Sequence, residues 1–473
     1  MVMRSAVVVL AGSLLAGCIS VPAILAPPDA PSQDANDPPV PRTLIIALDA
    51  VPFESAVKAF AESPELARFG DPVPVVSTFP SSTTLAFTEM FRPVGLGTPP
   101  GYEAKFYDAS VGRIRGGGLM SYGKIEFSWR EFFDWKTDGA LRKAVGYARP
   151  RAFSRAEFRR GINAFLSSDQ QAFYLYVGST DGVAHLAGPE AFVEVLTDLA
   201  AVLEEARRSQ PSFRTVLLSD HGVGGGEPLR NVRAPVIDAA RAAGLRSAGA
   251  LERPGDIVFV PFGLLSSFVA FTDPDDTHRA VRALGRVAGV GLCAAPEGTD
   301  GFLLVDPEGE ARLERRSNAG RIEWRYTPDG GDPLLWLAAG LSANAWTEDS
   351  VVFESTVSGA RPDGPRRVAE AFELVRNPAT IVCSTAPGFM YGAALTEFSG
   401  RVGVGRLRWT HGALERDDTL GFVATDLPKA EALRLRPAVR ASELVEILGL
   451  DEPSLQPSKL RQQLTGEASE APP

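Results

Sequence analysis

Three largely apolar stretches of strand length, without polar alternation, each run straight into ionisable residues. Thr43-Leu44-Ile45-Ile46-Ala47-Leu48 ends at Asp49. Phe173-Tyr174-Leu175-Tyr176-Val177 leads through Gly178 to Ser179-Thr180-Asp181, and Phe213-Arg214-Thr215-Val216-Leu217-Leu218 ends at Ser219-Asp220-His221-Gly222. Unbroken apolar runs fit parallel strands covered on both faces. In open α/β sheets the ligand crevice lies beyond the carboxyl ends of the strands, so the three clusters are expected along one rim. Between them, 189–208 carries Phe192, Val195, Leu196, Leu199, Val202 and Leu203 at helical spacing, as a crossover helix would.

The chain of 473 residues is long enough for a large core, and its net charge of −10 comes without a run of Lys or Arg long enough to follow a phosphate backbone. Binding to a nucleic acid duplex is therefore not expected. Arg4 and the apolar segment 6–16, too short to span a bilayer, end in Leu15-Ala16-Gly17-Cys18, which resembles a bacterial lipoprotein signal. That resemblance implies removal of 1–17 and acylation of Cys18. The protein would then be anchored in the bacterial cell envelope on the periplasmic side, with the outer membrane favoured in a diderm by Ile19. Residues 18–41 read as a Pro-rich tether, 42–450 as the folded unit and 451–473 as a disordered tail. Two stretches, about 100–150 and 256–373, read as insertions, the second as a cap packed on the sheet.

Other elements follow the same logic. Helices are expected over 52–69 (one or two), 85–91, 155–166, 275–288 and 441–450, with a last strand over 419–424. The aromatic cluster Trp129, Phe132, Phe133 and Trp135 reads as a lid or satellite core that packs rather than stacks on a substrate. Gly224-Gly225-Gly226 reads as a flexible loop. Cys293 and Cys383 sit in apolar surroundings as buried thiols, with a bridge between them left open. Of four histidines, His278 lies early in a helix and is assigned to the surface.

Asp181 and His185 lie four residues apart and share a face if the chain turns helically there. With Asp49, Asp220, His221 and His411 they make three Asp and three His, enough for two divalent ions with open positions. Two dications balance three carboxylates plus one ionised hydroxyl, and paired ions favour in-line displacement at phosphorus. Ser81, Ser82, Thr83 and Thr84, at a strand-to-helix junction, are the available hydroxyls; N-capping alone would explain Ser81, Ser82 and Thr84.

The order Asp49, Phe79-Pro80-Ser81-Ser82-Thr83, Asp181-x-x-x-His185 with Gly188-Pro189, Asp220-His221-Gly222 and His411-Gly412 resembles the alkaline phosphatase superfamily. The nearest branch is that of the nucleotide pyrophosphatase/phosphodiesterases. The resemblance implies a three-layer α/β/α sandwich with a mostly parallel sheet and an inserted cap. It implies Thr83 as nucleophile, and one zinc on Asp49, Asp220, His221 and the Thr83 oxygen. A second zinc falls to Asp181, His185 and His411, and other divalent ions could serve. A small phosphorylated substrate, diester or monoester, would be hydrolysed through a phosphothreonine. Two positions depart from the pattern: Ala104 replaces the phosphate-binding Asn, and Phe91-Arg92 replaces the usual Thr-Gly; Lys105 or Arg92 could supply the phosphate contact, but a solvated surface charge is the favoured reading of both. The sulfatase Cys-x-Pro-x-Arg motif and a Gly-x-Ser-x-Gly elbow are both absent. The rival expectation is an inactive envelope lipoprotein that keeps the fold as a binding scaffold.

Overall fold

The structure, a computed structural model, describes residues 41–116, 128–137, 149–262, 265–392 and 407–457. The expected signal segment, Cys18 and the tether up to residue 40 lie outside the described residues, as do parts of the first insertion and most of the tail.

The chain lays down β1 (Thr43–Leu48), β2 (Val73–Val76), β3 (Ala172–Val177) and β4 (Arg214–Ser219). It then forms β5 (Arg246–Ser247), β6 (Asp256–Pro261), β7 (Ser267–Thr272), β8 (Val290–Glu297), β9 (Gly301–Val305), β10 (Glu310–Asn318), β11 (Arg321–Asp329), β12 (Trp346–Glu348) and β13 (Ile381–Thr385). Last come β14 (Leu420–Thr425) and β15 (Val439–Arg440). The first sheet has the order β15-β2-β14-β4-β1-β3. β1 runs parallel to β3 and β4, whereas β14 is antiparallel to β4 and β2. β15 runs parallel to β2. The mostly parallel sheet expected from the apolar runs is thus present, with β14 its one reversed strand.

Both faces of that sheet are covered, which explains the lack of alternation. Leu44, Ile46 and Leu48 face α1 (Phe53–Glu62), α3 (Pro150–Leu166) and α5 (Ala191–Ser209). Ile45 and Ala47 face α2 (Thr83–Phe91) and α10 (Leu444–Leu448), with Trp129, Phe132 and Phe133 in the same cluster. The aromatic trio therefore packs, as expected. On α5 the six apolar residues picked out by spacing are all buried. Each contributes about 1.5–3 kcal/mol on burial, well above the tenths per residue that separate helix propensities. Packing decides this helix.

Register sets the rim. Leu48 lies opposite Val177 and Ser219, so Asp49, Gly178 and Asp220 leave the sheet at one level.

The second sheet, β12-β11-β10-β9-β8-β13-β7-β6-β5, is almost wholly antiparallel. It covers the expected cap but also takes in β5 and β13, so it reaches from 246 to 385 rather than 256 to 373. One face packs against α6 (Arg233–Ala242) and α7 (Pro274–Gly285). The other meets Phe79, Leu85 and Tyr102 of the first unit.

Three smaller expectations are corrected. Gly224–Gly225 is not a free loop but pairs with Trp409–Thr410. The strand over 419–424 is followed by β15, a two-residue strand too short to leave a periodic signal. Cys293 and Cys383 are not thiols: they face each other across β8 and β13 and form a disulfide, Cα–Cα 4.1 Å. Replacing both by Ala should cost about 2–4 kcal/mol, read from urea unfolding without reductant; a change below ~0.5 kcal/mol would count against a stabilising bridge.

Candidate metal centre

Asp49 follows β1, and Ala50 after it adopts the left-handed region, φ 58°. For a residue with a Cβ this costs about 1–3 kcal/mol. The turn aims the Ala50 N–H at Asp220 Oδ1, 3.0 Å away, and the His221 N–H also donates to that oxygen at 3.1 Å. Asp220 Oδ2 is buried with no hydrogen-bond partner among the described residues. An orphaned carboxylate oxygen is costly unless a cation completes it. Gly222 is required next, because a Cβ there would lie 2.1 Å from the Asp417 carbonyl.

Asp181 and His185 sit on α4 (Ser179–Ala187), so the four-residue spacing does place them on one helical face. Buried Glu157 of α3 accepts the Ser179 N–H at 3.0 Å and fastens the start of α4. Gly188 ends the helix at φ +77°, and a Cβ there would strike the Trp409 ring at 2.3 Å.

All three histidines show the same bonding. His185 Nδ1 donates to Trp409 O at 3.2 Å, His221 Nδ1 to Gly222 O at 3.0 Å, and His411 Nδ1 to Ser81 O at 2.9 Å. A carbonyl can only accept, so each Nδ1 carries a proton and Nε2 is the nitrogen left to face a cation.

Those nitrogens meet the carboxylates in two groups, Asp49–Asp220–His221 and Asp181–His185–His411; the ligand atoms within each group lie within 4.8 Å of one another. Four ligands about 2.1 Å from a tetrahedral zinc stand roughly 3.4 Å apart. His221 Nε2 lies 3.3 Å from Asp220 Oδ2 and 3.8 Å from Asp49 Oδ1. Thr83 Oγ1, from the first turn of α2, is 3.0 Å from Asp49 Oδ1 and 3.4 Å from His221 Nε2. In the other group His185 and His411 Nε2 lie 3.2 and 3.6 Å from Asp181 Oδ1. The donor sets fit two zinc-sized cations. The rings of His221 and His411 stack at 4.0 Å, which brings the two groups side by side.

The charges tell the same story. Burial, then Asp220 and Asp181, raise the Asp49 carboxyl well above its ordinary range. Burial pushes Asp220 up to about 7 despite its backbone bonds. Burial also opposes the charge on Asp181, but His185 and His411 hold that carboxyl well below the usual range. Burial and the neighbouring His411 keep His221 neutral, as a metal ligand must be.

Every residue taken as a ligand is thus brought together, with Thr83 among them. The other hydroxyls turn elsewhere. Ser81 Oγ donates to Thr78 O and Ala413 O, and Thr84 is buried. Ser82 holds the N-cap position of α2 without a side-chain capping bond, so the capping explanation is not what the structure shows. His278 is at the surface, its side chain 46% exposed. Arg92 is paired with Glu89 at 2.6 Å, and Ala104 is buried.

Sequence reasoning missed Tyr176, whose hydroxyl donates a short hydrogen bond to Asp49 Oδ2. A tyrosine in a buried strand needs a polar partner, and that was the available signal. It also missed Glu103, a partly buried carboxyl beside Ser82 that burial pushes up to about 7.

No family model matches the chain, and no curated protein matches it. Among solved structures it is similar to phosphonoacetate hydrolase from Sinorhizobium meliloti 1021 in complex with phosphonoformate. Identity there is 13% over 87% of this chain and 97% of that one, with TM-score 0.47. It is also similar to human ectonucleotide pyrophosphatase/phosphodiesterase 5, at 10% identity over 86% of this chain and 93% of that one, TM-score 0.46.

Two ionised carboxylates within 4.8 Å of one another repel by at least about 3 kcal/mol at an effective dielectric near 20. A dication that relieves this repulsion and binds only the folded state raises stability. Zinc should therefore raise the thermal midpoint and excess chelator lower it; identical melting curves under both conditions would remove the metal reading.

Proposed function

We propose that the chain is an exported two-zinc phosphoesterase that hydrolyses a phosphodiester, or a phosphomonoester, through a phosphothreonine on Thr83. The observation that carries this is the convergence of three pre-set imidazole Nε2 atoms, three carboxylates and the Thr83 hydroxyl, at 3.0 Å from Asp49. Asp49, Asp220, His221 and Thr83 would hold one ion, and Asp181, His185 and His411 the other. Bound in pairs, such ions neutralise charge on phosphoryl oxygens and favour the ionised form of a nearby hydroxyl.

The chain's own residues supply the rest. Asp49 receives the Thr83 hydrogen bond, and Tyr176 fixes Asp49 from behind. Thr83 stands at the start of α2, where the first amides lack intrahelical acceptors and suit an anion. Its Oγ1 forms a bond to phosphorus as the bond to the leaving oxygen breaks; water then hydrolyses the ester and restores the hydroxyl.

Glu103 favours the diester. Three carboxylates and an ionised Thr83 already balance two dications, so Glu103, once ionised above its raised pKa of about 7, adds negative charge in excess beside Asp181. A monoester dianion meets that charge with twice the charge of a diester. The unit over 42–450 carries this chemistry, with the second sheet as its cap.

Export and anchoring through Cys18 in the bacterial envelope belong to the same reading. The Cys293–Cys383 disulfide supports an oxidising compartment. No helix among the described residues is long and apolar enough to cross a membrane.

The test compares wild type with Thr83→Ala on aryl phosphate diesters and monoesters, with zinc content measured in both. Turnover should fall at least about a thousandfold in the variant while most zinc is retained. Zinc without turnover of any ester in wild type would favour the binding-scaffold alternative. In the same assay Glu103→Gln should raise monoester kcat/KM about tenfold relative to diester, roughly 1.4 kcal/mol of relieved repulsion; an unchanged ratio would remove Glu103 from the argument.

A further inference from the structure

Arg367 lies on α9 (Gly364–Glu370), which follows α8 (Asp349–Thr356) in the segment between β12 and β13, and is 2% exposed. It carries a charge into the protein, yet no ion pair of Arg367 is found among the described residues. Its guanidinium instead grips two loops. Nη2 donates to Thr78 O at 2.9 Å, Ser81 Oγ at 3.0 Å and Ala413 O at 3.4 Å. Nη1 donates to Leu414 O at 3.0 Å and Pro362 O at 3.2 Å.

The first loop leads into Thr83 and the second carries His411. Ser81 joins them directly: its carbonyl accepts from His411 Nδ1 at 2.9 Å, and its N–H donates to Gly412 O at 3.3 Å. The guanidinium therefore closes a ring of hydrogen bonds around Ser81, which stands between the proposed nucleophile and a proposed ligand of the second ion.

Stability does not explain this arrangement. A buried charge without a carboxylate in ion-pair contact is expensive, and burial lowers the Arg367 pKa to about 10 even against the opposing effect of Asp363, Asp418, Glu415 and Glu370. Its Nε is buried with no hydrogen-bond partner among the described residues. What the residue contributes is a planar fork that fixes two loops in one relation, something the point charge of a lysine does not reproduce.

We propose that Arg367 is a positioning residue that sets His411 and Thr83 in register by holding Ser81. The role rests on the two-metal reading of the site.

The test uses full-length Arg367→Lys, which keeps the charge but loses the fork, and Ser81→Ala, which keeps the His411 acceptor but loses the hydroxyl that Arg367 holds. The readouts are thermal melting, affinity for each zinc, kcat and KM. A fourth is the imidazole nitrogen spectrum of the zinc-free protein, tractable with four histidines in the chain. We expect cooperative melting close to wild type in at least Ser81→Ala. The weaker zinc affinity and kcat should fall about 10–100-fold, with KM within about threefold. The His411 Nδ1 resonance should move while those of His185 and His221 stay. Folded variants with wild-type zinc affinity and an unmoved His411 overturn the proposal. Equal displacement of all three site histidines overturns it too, as a general structural effect. If wild type binds zinc but turns over no ester, the proposed function fails alone, and zinc affinity and the His411 resonance still decide the role of Arg367.

Discussion

Each of the three site imidazoles is tied by its far nitrogen to a main-chain carbonyl, and the site depends on those bonds. A free histidine exchanges tautomers and rotates, so half of its states present a proton where a cation needs a lone pair. Trp409 O, Gly222 O and Ser81 O remove that freedom. The acceptors are backbone atoms in loops whose paths are fixed by tight packing: Trp409 against Gly188, Gly222 against the Asp417 carbonyl, Ser81 against Arg367. Ligand geometry is thereby inherited from the fold rather than from the ligands themselves.

The fold can provide this because two sheets share the work. The register of β1 with β3 and β4 brings Asp49 and Asp220 to one level and starts α4 beside them. His411 reaches the same place from the far end of the chain, with its N–H···O contacts spread over both units: Ser266 donates to its carbonyl at 2.8 Å, and Ser81 receives its imidazole proton. The second sheet is therefore more than a cover. Its Phe79-, Leu85- and Tyr102-facing side is continuous with the floor under the loop that leads into Thr83.

Much of this was legible in the sequence, for a physical reason. A parallel strand buried on both faces must be apolar throughout, so β1, β3 and β4 announce themselves and their ends mark the rim. Asp181 and His185 were readable because helical spacing puts them on one face. The parts that were not legible depend on partners remote in sequence. Nothing local to Ser81 says that its carbonyl will accept from His411, 330 residues away. Arg367 reads as one more charge on a helix until the loops that surround it are known. Ser82 looked like a helix cap because Ser before a helix usually is one, yet its hydroxyl points to Tyr102 O instead. β15, at two residues, was too short for any periodicity.

The same geometry that suits ions makes the ligand set by itself a poor stabiliser. Three carboxylates are buried close together, and Asp49 and Asp220 are driven toward protonation by burial, with the charge of Asp181 acting on both. Asp220 Oδ2 has no hydrogen-bond partner among the described residues, and Ala50 takes on a strained backbone to bond the other oxygen. A core selected only for stability would replace these groups with apolar ones of similar volume, since buried polar sets without full partners cost free energy. A binding scaffold that made no use of cations would have no reason to keep all six ligands, the three tautomer-setting carbonyls and the Thr83 hydroxyl in mutual reach. The strain at Ala50, the orphaned oxygen of Asp220 and the burial of the Arg367 charge without a contact ion pair among the described residues are costs of one kind. Each makes sense if occupancy by dications and the placement of Thr83 beside them are what the fold is held to.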